Sequence, residues 1–190
     1  SEPVTQHTKR FTSVFWALDK DLADARHYPA INWIQSYSGA LNELTEWWAT
    51  NVGKEWRDYR DEAMRILQKE DELKDIVKLV GPDALPDRQR LILETAKILR
   101  NVFLQQNALD PIDTYCLPVK QFKMLRIIID FYHLAERIVN KGAPLFKITN
   151  LSVLPEIMRM REIHNEKLQL LDELKKKMEY QFSELEKGAV

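Results

Sequence analysis

The side chains that most often perform chemistry in proteins are few in this chain, and their spacing matches no common catalytic or metal site. The four histidines, His7, His27, His133 and His164, contain no i, i+4 pair, and Cys116 is the only cysteine. A zinc site needs several such ligands at fixed spacing, and a cysteine nucleophile needs a neighbouring base. We therefore predict no metal site. We interpret His164, on an apolar helical stripe, as a structural or interface residue and Cys116 as a small buried hydrophobe.

Two groups of charged residues resemble functional sites but have simpler explanations. Asp110 and Asp113 lie beside Pro111 and could act as a carboxylate pair, yet aspartates next to a proline are typical of turns and helix caps. The lysines at 175–177 have acidic neighbours on the same helix, which predicts a solvated helix face. Neither group predicts catalysis or nucleic-acid binding.

The positions of the glycines exclude a nucleotide-hydrolysing P-loop. Such a loop has the pattern Gly-x-x-x-x-Gly-Lys-Ser/Thr, in which backbone N–H groups surround the phosphates. The five glycines of this chain are widely separated, at positions 39, 53, 81, 142 and 188. This stretch of sequence alone is therefore not an ATPase of the P-loop type.

The composition is that of a helix-rich globular chain. Of 190 residues, 45% are hydrophobic and 30% are charged, and the formal net charge is -1. The length allows one domain, or one domain with an arm, and the balanced charge provides no basic surface for nucleic acid or anionic lipid. No apolar run approaches the roughly 20 residues that cross a bilayer, so we expect a cytosolic chain without direct membrane insertion. Because the sequence starts at Ser1 inside a motif, we expect an excised piece of a longer protein.

Apolar residues recur at three- and four-residue steps along the chain, which is the period of an amphipathic helix. The spacing of Phe11, Val14, Phe15 and Leu18 predicts a short first helix. Further helices are predicted at about 39–50, 54–69, 73–80, 87–105, 118–140, 145–149 and 155–187. No segment shows the alternation of a strand, so the predicted fold class is all-α, an antiparallel bundle of about six helices with a long C-terminal helix.

Three of these helices carry more specific expectations. The helix at 118–140 is apolar around most of its circumference, which is typical of a central helix. Within 39–50, Trp47 and Trp48 point about 100° apart, so one should be in the core and the other near an edge. The helix at 155–187 has heptad-like apolar spacing and could extend roughly 45 Å, partly packed on the bundle and partly projecting from it.

The segment His-Tyr-Pro-Ala-Ile-Asn-Trp at 27–33 contains an aromatic ring whose position is restricted by the backbone. Pro29 fixes its own φ angle and keeps Tyr28 out of the α region. The Tyr28 ring is then either a plug in the core or a flat wall for a ligand. The residue types alone favour the plug, because packed aromatics are commoner than ligand-binding ones.

Four segments together resemble the catalytic A subunits of archaeal-type and V-type rotary ATPases. They are Ser-Glu-Pro-Val-Thr-Gln at 1–6, Val-Phe-Trp-Ala-Leu-Asp at 14–19, the segment at 27–33, and Gln-Gln-Asn-Ala-Leu-Asp-Pro-Ile-Asp-Thr-Tyr-Cys at 105–116. The resemblance extends from residue 1 to about residue 132 and corresponds to the C-terminal helical domain of that subunit. It implies that residues 1–26 lead out of a missing nucleotide-binding core and that residues 27–190 form the helical bundle domain.

In this family a loop and a turn form the two sides of a slot for the adenine ring. The resemblance therefore implies that Tyr28 and Pro29 form one side and that Ala108 and Leu109 form the other. Leu109 stands where relatives often carry an aromatic residue. ATP or ADP and Mg2+ would be bound by the full subunit, whose core holds the phosphates and the metal, and we expect no tight nucleotide binding by this piece alone.

A second implied site is the helix–loop–helix tip that presses on the rotating central shaft of these enzymes. It corresponds to Gly81, Pro82, Asp83, Ala84, Leu85 and Pro86. Because the tip has few acidic residues, we expect coupling through shape and through the stiffness that prolines provide. The implied partners are the nucleotide-binding core of the same subunit, the B subunit of the hexamer and the central-stalk subunits D and F. The implied setting is a soluble head, peripheral to the membrane, that makes and hydrolyses ATP while ions are translocated.

The competing hypothesis is a helical protein-interaction module with no nucleotide role, acting through the last helix as a coiled-coil arm. Periodicity alone favours this alternative. A P-loop upstream of Ser1 in the parent gene would favour the ATPase assignment, whereas a gene that begins near Ser1 would favour the module.

Overall fold

The computed structural model describes residues 11–188, and within this range the chain is mostly helical. These residues contain eight α-helices and one two-stranded sheet. The predicted helical class, with a long C-terminal helix, is confirmed. His7 and the predicted lead-in up to residue 10 lie outside the described residues. None of the helices in the described range is long and apolar enough to cross a bilayer.

A β-hairpin comes first in the described part of the chain. Strands β1 (Val14–Leu18) and β2 (Ile31–Ser38) pair antiparallel, with the short helix α1 (Lys20–Asp24) between them. The predicted helix from Phe11 to Leu18 and the expectation of no strand are therefore wrong. Both strands are rich in Val, Ile, Phe, Trp and Tyr, whose side chains suit a pleated surface. Pairing of the two segments outweighs the helical spacing within β1.

Helices α2 (Leu41–Asn51) and α3 (Trp56–Val80) follow and contact each other. Trp48 stacks on Trp56, with ring centroids 4.5 Å apart and planes 9° apart. Trp47 meets Trp48 edge-on and is exposed, while Trp48 is half-buried. The two rings point in different directions as predicted, but neither lies in the core.

Helix α3 is continuous over 25 residues, whereas two helices at 54–69 and 73–80 were predicted. The charged stretch between them contains no glycine or proline and consists mainly of good helix formers. At 1.5 Å per residue α3 is about 37 Å long. Its buried residues lie between Ala63 and Leu73, and none of residues 74–80 is buried.

The centre of the bundle is the long helix α5 (Pro118–Asn140), which has the predicted bounds. Its buried residues occur on nearly every face, and Pro118 stands in its first turn, where a missing N–H is tolerated. Before it, α4 (Asp87–Ile98) runs directly into a π-helical segment (Leu99–Leu104), and together they cover the helix predicted at 87–105. Both α3 and α4 pack against α5, so its predicted central position is confirmed.

The end of the chain differs from the prediction of one helix over 155–187. After α6 (Leu145–Thr149), which matches its prediction, the elements are α7 (Leu154–Met158), two 3-10 turns (Met160–Glu162 and Asn165–Lys167) and α8 (Gln169–Lys187). His164 lies between the two turns and is exposed. Its predicted place on an apolar helical stripe is therefore wrong.

Tertiary hydrogen bonds explain why this segment is not one helix. The buried Lys120 ammonium donates to the Arg161 carbonyl at 2.7 Å, so this carbonyl faces α5. The Asn165 side chain donates to the Tyr115 carbonyl at 2.9 Å and accepts from the Leu117 N–H at 3.3 Å. These partners are distant in sequence, so the local apolar spacing does not register them.

Helix α8 packs along α5. Its buried side chains are Leu171, Leu174, Met178 and Phe182. Phe182 contacts Phe131 of α5 edge-to-face, with centroids 5.5 Å apart, and the Lys175 ammonium pairs with Asp130 of α5 at 2.8 Å. Lys175 is thus part of the packing and not of a fully solvated face. Because the apolar stripe of α8 is covered by the bundle, the coiled-coil alternative loses the arm on which it depended.

Candidate functional site

Two backbone segments that are far apart in sequence meet next to Tyr28. The Gln106 N–H donates to the Tyr28 carbonyl at 2.8 Å, and the buried His27 ring donates through Nε2 to the Arg100 carbonyl at 2.9 Å. The loop before β2 is thereby fixed to Arg100 in the π-helical segment and to Gln106 just after it. No role was predicted for His27 from the sequence, and its position next to the Tyr-Pro pair was the only available signal.

The side chains of both predicted half-sites are open to solvent. Tyr28 is 56% exposed and Leu109 is 94% exposed; Ala108 is exposed and Pro29 is half-buried. The interpretation of Tyr28 as a core plug, which the residue types alone favoured, is therefore wrong. An exposed ring that is held through its backbone is suited to stack on a flat ligand.

The turn that carries Leu109 is built by its aspartates. Asp110 accepts hydrogen bonds from the backbone N–H groups of Ile112 and Asp113, both at 2.8 Å, and these bonds lower the pKa of the Asp110 carboxyl. Asp113 is buried and accepts from the Asn107 N–H at 2.7 Å. Because both carboxylates bind backbone, the predicted turn role is confirmed and a catalytic carboxylate pair is not formed.

A cavity of about 270 Å³, lined mostly by apolar surface, lies beneath this region. Its lining includes Pro29, Gln106, Cys116, Lys120 and Arg161. Lys120 is only 1% exposed, and a lysine on a helix as apolar as α5 was the sequence signal for it. Cys116 is half-buried, and this burial raises the pKa of its thiol, so the group is a poor nucleophile.

The second predicted site, loop 81–86, forms the connection between α3 and α4. Gly81 has a φ of 81°, a conformation that glycine adopts without strain. Residues Pro82–Ala84 form one 3-10 turn, Leu85 is buried, and α4 starts directly after Pro86. The loop is short and mostly exposed, as predicted.

The two aspartates of this connection have different environments. The Asp83 carboxylate is exposed, with Arg90 3.6 Å away. Asp87 accepts a hydrogen bond from the Leu145 N–H at 2.8 Å and contacts Arg90 at 3.4 Å. Asp87 therefore fixes the start of α4 to α6, and Asp83 alone presents a carboxylate to solvent at the tip.

Apolar side chains are exposed on α3 immediately before this loop. Leu79 is 85% exposed, and Ile76 and Val80 are also exposed. Both residues belong to the apolar spacing that predicted a helix at 73–80, but α3 continues past the residues that cover it. The end of α3 and loop 81–86 form one exposed unit, which we call the tip.

Within residues 11–188, no group of three or more histidine, cysteine, aspartate or glutamate side chains is arranged to hold a metal ion. At the two predicted sites the structure presents an exposed aromatic ring at Tyr28 and exposed apolar side chains at the tip.

Two family models match this sequence. Residues 45–149 match the C-terminal domain of V and A type ATP synthase, and residues 1–38 match the nucleotide-binding domain of the ATP synthase alpha/beta family. Since the first match covers more than half of the chain, the chain belongs to the V- and A-type ATP synthase C-terminal domain family. The resemblance found in the sequence is confirmed.

The curated relatives of this chain are A subunits of A-type ATP synthases. The A subunit of the A-type ATP synthase from Methanopyrus kandleri is 54% identical over 97% of this chain and 31% of its own length. The corresponding proteins from Ignicoccus hospitalis and Methanococcus vannielii are 54% and 52% identical, over 92% and 97% of this chain. The chain spans about a third of the length of these relatives.

Proposed function

We propose that this chain is the C-terminal part of the catalytic A subunit of an A/V-type ATP synthase. In this proposal it supplies the adenine side of the nucleotide site and transmits torque to the central shaft. The remainder of the protein binds the phosphates and Mg2+ of ATP or ADP. The chain takes part in ATP synthesis and hydrolysis coupled to ion translocation, and this piece by itself is inactive.

The observation that carries the adenine assignment is the hydrogen bond from the Gln106 N–H to the Tyr28 carbonyl. A slot for a flat base needs a wall on each side of the base, and this bond joins the loop of Tyr28 and Pro29 to Gln106, two residues before Ala108. The exposure of Tyr28 and Leu109 leaves both side chains free to contact a base. The nucleotide-binding domain model matches residues 1–38, a range that includes Tyr28 and Pro29. The division into a lead-in at 1–26 and a bundle domain at 27–190 stays a prediction.

Substitution of Tyr28 tests this assignment in the assembled enzyme. Stacking of a base on an aromatic ring contributes about 1–3 kcal/mol, so Tyr28→Ala should raise the KM for ATP roughly 10- to 100-fold. Tyr28→Phe keeps the ring and is the matched control, with a KM near that of the unsubstituted enzyme. An unchanged KM in Tyr28→Ala contradicts the adenine wall. Tight ATP binding by the isolated chain in calorimetry would contradict the division of labour between bundle and core.

The torque assignment rests on the tip. Gly81, Pro82, Asp83, Ala84, Leu85 and Pro86 form a short turn, and exposed Leu79 and Val80 lie directly before it. Since Asp87 is engaged with α6, Asp83 is the one aspartate of this connection whose carboxylate is exposed to a partner. We assign the contact to the central-stalk subunits D and F, and we expect it to depend on shape.

Crosslinking tests the tip. A cysteine at Asp83 should form crosslinks to the central stalk in the assembled complex, with a yield that changes with nucleotide state. A cysteine at exposed Tyr180 of α8 is the control and should give none. Absence of any product from position 83 in every nucleotide state contradicts a shaft contact.

In the proposed assembly the chain lies beside the B subunit, in a head on the cytoplasmic side that is peripheral to the membrane.

A further inference from the structure

We propose that His27, Arg100 and Glu70 form a link that positions Tyr28 and connects it to helix α3. The adenine wall and the tip are then joined through Arg100, whose carbonyl binds His27 and whose guanidinium binds Glu70. This inference rests on the proposed adenine role of Tyr28. It adds three positioning residues, none of which contacts the nucleotide.

The first contact holds the loop. The His27 ring is buried, and because a carbonyl can only accept, the 2.9 Å contact with the Arg100 carbonyl requires a proton on Nε2. The backbone of His27 is also fixed, since its N–H donates to the Leu22 carbonyl at 2.8 Å. Tyr28 is the next residue, so its Cα position follows from the placement of His27.

The second contact connects this loop to α3. The Arg100 guanidinium pairs with the carboxylate of Glu70 on α3, and both side chains are largely out of solvent, at 29% and 11% exposed. Breaking a pair of this kind by neutralising one partner leaves the other charge poorly solvated. The pair therefore favours a single relative position of α3 and the segment that carries the Arg100 carbonyl.

The segment between the two contacts is unusual in itself. Arg100 lies in the π-helical stretch Leu99–Leu104, whose end is closed by a hydrogen bond from the Gln105 N–H to the same Arg100 carbonyl at 2.9 Å. π-Helical turns are rare and are found frequently at functional sites. One carbonyl thus receives both the last bond of the π segment and the bond from His27.

The link reaches the tip through α3. Glu70 precedes Gly81 by eleven positions on one continuous helix, which corresponds to about 16 Å along the axis. A rotation of the buried part of α3 therefore acts on the tip and on Glu70 together, and Arg100 and His27 connect that rotation to the loop of Tyr28.

The test uses the full-length protein in complex with its partners and compares KM for ATP with kcat. His27→Met keeps the side-chain size but removes the donor, and it should raise KM roughly 2- to 10-fold, the range expected for one hydrogen bond. kcat at saturating ATP should change much less. His27→Gln restores an N–H donor and should recover most of the affinity. Equal KM values for the two variants, or an unchanged KM in His27→Met, overturn the positioning role.

Glu70→Gln tests the connection to α3 and does not depend on the stability of the His27 variants. It is isosteric, and it should raise KM in the same direction, while Glu72→Gln at an exposed position of the same helix should leave KM unchanged. Combined with His27→Met, Glu70→Gln should add little, because both changes break one link. An unchanged KM in Glu70→Gln, or full additivity of the two changes, overturns the link.

Tyr28→Ala separates failure of the link from failure of the adenine wall. If Tyr28→Ala raises KM and the Glu70 and His27 variants do not, the wall stands and the link is wrong. If Tyr28→Ala has no effect, the adenine role and the link that rests on it both fail.

Discussion

The packing of α8 on α5 makes Phe182 the residue whose loss should be most informative. Its ring is fully buried and meets Phe131 edge-to-face, with centroids 5.5 Å apart and planes 80° apart. Truncation of a buried phenylalanine costs about 3–5 kcal/mol, because transfer energy is lost and a cavity remains. For a chain of this size, Phe182→Ala should lower Tm by roughly 6–20 °C. Urea unfolding of the chain, followed by helical circular dichroism, measures the change in free energy of unfolding.

Tyr180→Ala is the matched control for this experiment. Tyr180 lies two residues earlier on α8 and is exposed, and both substitutions replace an aromatic with alanine, so their gains in helix propensity are similar. The control should change the free energy of unfolding by no more than about 0.5 kcal/mol. If the two variants are equally stable, α8 is not packed on the bundle, and the reasoning that removed the coiled-coil arm is refuted.

Two further predictions concern stability. Gly53→Ala would place a Cβ against the Phe122 ring, closer than a van der Waals contact allows, and should destabilise the chain by about 1–3 kcal/mol. Gly188→Ala, with no atom closer than 3.7 Å, is the control in the same urea assay. Burial, with the hydrogen bond to Asp130, raises the pKa of Tyr59 from 10.0 to about 12, so the folded chain holds this proton more firmly than the unfolded one. The stabilisation of the folded chain that results from this raised pKa is complete below pH 10 and is lost as the pH rises from 10 to about 12. Tyr59→Phe should flatten the fall of the urea midpoint in this range, and an identical fall in the variant and the unsubstituted chain would contradict the assignment.

Helices with strong local signals could be predicted closely from the sequence. Pro118 and the apolar positions of α5 were sufficient for its bounds, because its signals are contained within the segment. The β-hairpin could not be predicted in this way, since the spacing in β1 fits a helix equally well and its pairing partner is β2. The break before α8 depends on Lys120 and Asn165, whose partners lie some forty to fifty positions away.

The candidate site was predictable only in part. Tyr28 and Leu109 were identified through the resemblance, and the spacing of residues alone would not have assigned them to one predicted site. The bond between Gln106 and Tyr28 is made by backbone groups, which carry no signature in the side chains. Burial of His27 and its contact with Arg100 depend on the π-helical segment, and the apolar spacing of 87–105 does not distinguish a π segment from an α-helix.

Helix α3 is packed against the bundle at only part of its length. Its buried residues lie between Ala63 and Leu73, while the stretch from 74 to 80 contains no buried residue. A small rotation of the packed part therefore produces a larger displacement at the exposed end of the helix. A tilt of about 6° at Glu70 displaces Gly81 by roughly 1.7 Å. A displacement of the tip that is large enough to change its contact with a partner therefore requires only modest repacking around the buried part of α3.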